Sequence, residues 1–126
     1  MNYQTPLARA RGLGSARQGS HHWWRQRVTA IALFPLTFWL AISVVSLPNA
    51  SYQDVVVWVM APWNTILLLS FIILGFFHAT LGLQIIIEDY VHTDWLKIVT
   101  ILGAKIVLAF LALAGVFATL RIVFVG

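Results

Sequence analysis

His78 is the side chain best placed to do chemistry, because residues 65–87 around it form an apolar run without a single charge. An imidazole at bilayer depth needs a partner, and ionisable groups there mark a cofactor, an ion path or a contact with another helix. Gly75 precedes it by three residues and Gly82 follows by four, so helical spacing puts both on its face and clears bulk from around the ring. Such a surface can admit a flat macrocycle. The chemistry this allows is haem ligation, with His78 as an axial metal ligand, Gly75 and Gly82 against the haem face and an arginine at the membrane surface for the propionates. The plainer alternative is a histidine hydrogen-bonded to a neighbouring helix. His21 and His22 precede the first apolar run and His92 follows the second, so a bis-histidine iron would draw its other ligand from another polypeptide.

Asp89 and Tyr90 adjoin just past the same run. A carboxylate beside a phenol at the mouth of a helix bundle can donate a hydrogen bond to a quinone carbonyl and manage its protons. A solvated helix end with an interfacial tyrosine has the same sequence. Lys105 is the other ionisable residue inside an apolar run, eight residues past Lys97. About 12 Å of helical rise separates the two, which makes snorkelling to the near surface difficult. Pairing with a carbonyl or with an acid on a partner is expected, ahead of proton transfer.

The elements that carry these residues follow from composition. A chain of 126 residues that is 60% hydrophobic and 10% charged is not an ordinary soluble domain. About 20 apolar residues cross a ~30 Å hydrocarbon core as helix, and three runs of that length are legible, 28–47, 65–87 and 98–125. The expected class is an all-α integral membrane protein with three transmembrane helices, a polar basic tail over 1–27 and an anchor domain over 28–126. Pro35 predicts a kink in the first span. Ser51 and Asp54 have the form of a capping box. Residues 52–62 are therefore expected as a short interfacial helix, or as an early extension of the second span, with Tyr52, Trp58 and Trp63 at the interface and Pro62 at the join. Thr93 or Asp94 would cap the third helix.

The absence of cysteine excludes disulfides and thiolate-bound iron–sulfur clusters on this chain. The tail string GLGSARQG lacks the preceding strand that a dinucleotide fingerprint needs. Its arginines, Arg9, Arg11, Arg17, Arg25 and Arg27, come with no acid; Lys97 lies on the same side of the membrane, against Arg121 alone on the other. That asymmetry reads as a topology signal rather than a nucleic-acid surface, with the N-terminus cytoplasmic and the C-terminus periplasmic. The tail also resembles an organellar transit peptide, but it leads directly into a full-length span and is read as retained. The expected location is the bacterial cytoplasmic (inner) membrane, ahead of the mitochondrial inner membrane. His78, nine residues before Ile87, would then lie ~13 Å deep from the cytoplasmic side.

The string HATLGLQIIIEDY resembles the small haem-bearing membrane anchor of succinate dehydrogenase (respiratory complex II). In that family a second-span histidine is followed by a glycine at four residues and an Asp-Tyr pair at eleven and twelve; here those positions are His78, Gly82, Asp89 and Tyr90. WRQRVTAI is similar to the family's Arg-x-Thr-Ala segment and places its arginine at Arg27. The resemblance covers about residues 20–125 and is weakest over 48–62. It implies that His78 ligates haem b with the second ligand on a sister polypeptide, the second membrane anchor, and that Arg27 serves the propionates with His21 or His22 assisting. It implies also that Tyr90 hydrogen-bonds a carbonyl of ubiquinone, the substrate, while Asp89 shapes that site. Lys105 matches no motif of the family.

The function so implied is to anchor a flavoprotein subunit and an iron–sulfur subunit to the membrane, co-ligate haem b and form part of the ubiquinone site that receives electrons from succinate. Alone the chain would be inactive. One alternative is a fumarate reductase anchor working in reverse, usually with menaquinone. Another is a small proton-coupled transporter or structural helix bundle, with His78 and Lys105 on a proton path.

Overall fold

A computed structural model describes residues 14–126, with side chains described from residue 20 onward, and these residues form four helices and no strand. They are α1 (Gly14–Val45), α2 (Tyr52–Met60), α3 (Pro62–Tyr90) and α4 (Asp94–Val125). The first 13 residues of the expected tail, with Arg9 and Arg11, lie outside the described residues, as does the Arg17 side chain. From Gly14 the stretch expected as tail is helix, continuous with the first span. The helix also continues through Pro35, as membrane helices can where neighbouring groups satisfy the carbonyl that proline frees.

The turn at Pro48 and Asn49, closed by the Ala50 N–H donating to Leu47 O at 3.3 Å, is built on Asn49, whose φ of 64° is a left-handed conformation that a short polar side chain tolerates. Ser51 then starts α2: its backbone N–H and its hydroxyl each donate to Asp54 Oδ2 at 2.8 Å, and the Asp54 N–H donates back to Ser51 Oγ at 3.2 Å. These bonds hold the Asp54 carboxyl below its ordinary pKa, the backbone donor contributing most. Ala61 is extended and Pro62 opens α3, the helix position where a missing N–H costs least. The short helix is thus separate from the second span. Carbonyls left free at the break are met by side chains, Asn64 Nδ2 donating to Trp58 O at 2.9 Å and the Thr65 hydroxyl to Val59 O. Trp58 in turn stacks on Trp39 of α1, ring centroids 5.5 Å apart.

α3 is the hub, packed against α1 on one side and α4 on the other, while α2 closes over the far ends of α3 and α4 through buried Val56 and Val59. α4 comes close to α3 at Gly115, where a Cβ would stand 3.3 Å from Ile72. Segments Ser20–Val45, Pro62–Tyr90 and Asp94–Val125 are each long and apolar enough to cross a membrane, with mean hydropathies of 2.2, 2.3 and 2.4. Their apolar side chains mostly face outward, Phe34, Phe110 and Phe124 among them. That exterior suits lipid or partner helices, since a helix apolar all round is a buried or membrane helix. Hydroxyls within the spans are absorbed by their own helix, as in Thr80 to Phe76 O at 2.8 Å and Thr119 to Gly115 O at 2.9 Å.

Candidate functional site

His78 faces α1 and meets a hydroxyl there. Its Nδ1 lies 2.9 Å from Thr29 Oγ1, and Thr29, 4% exposed, also has Arg25 O at 2.8 Å and Gln26 O at 3.0 Å within reach of its hydroxyl. The hydroxyl carries one proton. If it goes to a helix carbonyl, Thr29 accepts from Nδ1–H and the lone pair of His78 is left on Nε2. The helix-to-helix hydrogen bond expected as the plain alternative is therefore present, and it engages one ring nitrogen only.

The two glycines flanking His78 meet different surroundings. A Cβ at Gly82 would stand 3.4 Å from Gln26 Nε2, so Gly82 lets α1 approach; a Cβ at Gly75 would meet nothing within 4 Å. Open space beside the histidine is therefore on the Gly75 side. His22 and Gln26 precede Thr29 on the same face of α1, and His22 Nε2 and Gln26 Oε1 are buried without a hydrogen-bond partner. A stripe of polar groups thus runs from the surface end of α1 to His78.

Arg27 lies elsewhere. It is two positions from Thr29, ~160° round the helix, and its guanidinium sits over the Trp23 ring at 5.2 Å, a cation–π contact. His21 and His22 line a cleft of about 840 Å³ between α1, α3 and α4, together with Arg25, Thr80, Gln84 and Lys105; His78 is not among its walls. At the end of α3, Asp89 is exposed and Tyr90 is 78% exposed, a carboxylate and a phenol presented outward. The neighbouring Glu88 accepts from Gln84 Nε2 at 3.0 Å. Among the described residues no three His, Cys, Asp or Glu groups come together to hold a metal ion, and a shared axial site needs only one from this chain.

Thr29 is the site residue that sequence reasoning missed. Its signal was a hydroxyl one turn past Arg25 at the start of an apolar run, which must find a partner once buried. The position of that partner depends on how α1 and α3 cross, and one sequence does not encode that visibly.

Three membrane-length helices, an imidazole held between two of them and an outward carboxylate–phenol pair at a helix end define an integral membrane subunit built to receive partners. The chain belongs to the succinate dehydrogenase/fumarate reductase transmembrane subunit family, whose model matches residues 1–113. It is 34% identical over 105 residues to the succinate dehydrogenase hydrophobic membrane anchor subunit of Rickettsia bellii, covering 83% of this chain and 84% of that protein. The Paracoccus denitrificans subunit of the same name is 36% identical over 90 residues, 71% of this chain and 70% of that one. A succinate dehydrogenase membrane anchor subunit of Reclinomonas americana is 32% identical over 94 residues, 72% and 78% of the two chains. No solved structure matches the chain. Membership of this family accords with a membrane anchor that associates with catalytic subunits.

Proposed function

We propose that this chain is the haem-bearing anchor of a succinate:quinone oxidoreductase, in which His78 supplies one axial ligand of a haem b shared with a second membrane anchor. Tyr90 and Asp89 contribute to the ubiquinone site, next to the iron–sulfur subunit that the flavoprotein feeds. The carrying observation is the Thr29 contact at 2.9 Å. Ligating histidines commonly donate their second ring N–H to a fixed acceptor, which sets the tautomer and the ring plane, and the Thr29 hydroxyl oxygen is placed to be that acceptor. Open space beside Gly75 fits a ring face. Haem b, when bound, supplies a one-electron carrier within the membrane. The chain's own part is to hold the imidazole, keep water out with the apolar walls of α1 and α3, and donate from Tyr90 to a quinone oxygen. Arg27 and His22 are proposed for the propionates from the surface end of α1; His22 stands on the Thr29 face, and for Arg27 the role requires its guanidinium to leave the Trp23 ring.

The names of the curated relatives favour succinate oxidation over fumarate reduction. A proton path through His78 and Lys105 has no such support, because Lys105 lines the α1/α3/α4 cleft and His78 does not.

An absorption spectrum of the purified complex tests the reading directly, since a low-spin b-type signal is required and its absence would end the proposal. Thr29→Val tests the carrying contact. It keeps the β-branched shape and removes the acceptor, and loss of such an outer partner typically weakens metal-centre binding roughly 10- to 100-fold. Haem retention and midpoint potential should both fall or shift, with Thr29→Ser restoring them. Wild-type retention and potential in an assembled Thr29→Val complex would remove Thr29 from the site.

The proposed orientation places Arg25, Arg27 and Lys97 on the cytoplasmic side of a bacterial inner membrane. A reporter that works only in the periplasm should therefore be active when fused after Gly126. Activity of a cytoplasmic reporter there would reverse the topology.

A further inference from the structure

Lys105 and the cleft it lines are not explained by the haem and quinone reading. The cleft brings Lys105, Arg25, His21 and His22 together over an otherwise apolar surface that includes Phe76, Phe77 and Ala112, and no carboxylate lines it. The chain has four acids, Asp54, Glu88, Asp89 and Asp94. α1 has none, and α4 has none after Asp94. Two basic side chains, Arg25 towards the membrane surface and Lys105 within a span, therefore share an apolar cleft without an anion in its walls, and such a group facing lipid is costly unless paired.

The interhelical contacts fix the order of these groups. Gln26 stands against Gly82 and Thr29 against His78, so Arg25 is level with about Leu83; Ile72 against Gly115 sets Lys105 level with about Gly82. Arg25 thus stands within about one helical turn, ~5 Å of rise, of the level of Lys105, with His21 and His22 another turn out. Lys105 and Arg25 both line the cleft. Beyond Lys105 the cleft runs on between Ile73 and Ala112, ~10 Å deeper by helical rise. α1 and α4 each pack on α3 without forming an extensive contact with each other, which leaves the cleft open sideways. Its α3 wall is centred about 130° round the helix from His78, so this is a different face from the haem site.

We propose that this cleft binds one anionic phospholipid, its phosphate between Lys105 and Arg25 with His21 as a further donor, and an acyl chain along Phe77 and Ala112. Basic pockets between transmembrane helices recognise lipid phosphates in this way. Ala109 and Ala112 leave the width, while a soluble anion would have no use for the apolar floor.

The test uses the whole complex with its partner subunits, stripped of lipid in a neutral detergent and supplied with micellar phosphatidylglycerol or phosphatidylcholine. Phosphatidylglycerol should stay bound in native mass spectrometry and raise the thermal midpoint, and phosphatidylcholine should do neither. In Lys105→Gln/Arg25→Gln the retention of phosphatidylglycerol should fall roughly tenfold, and Lys105→Arg should keep it. Equal stabilisation by the two lipids, or undiminished retention in the double variant, would overturn the proposal. If the double variant does not assemble, the wild-type lipid preference still decides. A zero-length cross-link joining Lys105 to a carboxylate of another polypeptide in the wild-type complex would assign the cleft to that polypeptide and overturn the lipid reading.

Discussion

His78→Ala is expected to abolish or reshape the low-spin haem spectrum of the assembled complex while leaving the three spans inserted. Ligation and packing separate at this residue because the packing cost of the substitution is small. His78 is only partly buried and gives α1 one side-chain hydrogen bond, worth ~0.5–1.5 kcal/mol net. Thr29 would not be orphaned, since Arg25 O and Gln26 O remain within 3.0 Å of its hydroxyl. The methyl group of alanine also suits a membrane helix. What is lost is one strong-field nitrogen. A sister anchor that keeps its own ligand can still trap haem, so the expected readout is a high-spin or potential-shifted centre and not necessarily an empty one. An unchanged spectrum and midpoint potential in a fully assembled complex would mean that His78 serves only to tie α3 to α1, and the ligand assignment would be withdrawn.

The three spans were legible because their signal is summed over about 20 residues each, and no competing structure tolerates such runs in water. Ser51 and Asp54 were legible as a capping box because both halves of that interaction lie three residues apart. The helical character of residues 14–27 was not, because arginines, glycines and glutamines there carry no apolar period and read equally well as a tail. The choice between a separate α2 and an extension of α3 turned on Ala61 being extended before Pro62, which agrees with the restriction proline places on the residue before it.

For the site, the place of His78 midway along α3 and the exposed Asp89–Tyr90 pair follow from position along one helix. The contact with Thr29 and the cleft at Lys105 depend on which faces of α1, α3 and α4 meet. Gly75 and Gly82 illustrate the difference. Spacing put both beside His78, and only the crossing of α1 decides that one meets Gln26 while the other meets open space.

Tyr90→Phe is expected to slow quinone reduction roughly twofold to tenfold while succinate oxidation with an artificial acceptor taking electrons upstream stays near the wild-type rate. The magnitude is that of one hydrogen bond, ~0.5–1.5 kcal/mol net, and it grows if the quinone oxygen is left buried without a donor. At 78% exposed, the Tyr90 ring contributes little to the packing of this chain. Removing its hydroxyl therefore touches the proposed substrate contact and not the fold. Asp89, also exposed and adjacent, holds no described hydrogen bond that would fix its carboxylate to another role. Asp89→Asn should accordingly act in the same direction and more weakly, through the electrostatics and proton supply of the site. The two assays divide the possible outcomes. A loss confined to quinone reduction places the phenol at the quinone, whereas equal slowing of both assays in an assembled complex would put the defect upstream and end the claim that Tyr90 binds quinone.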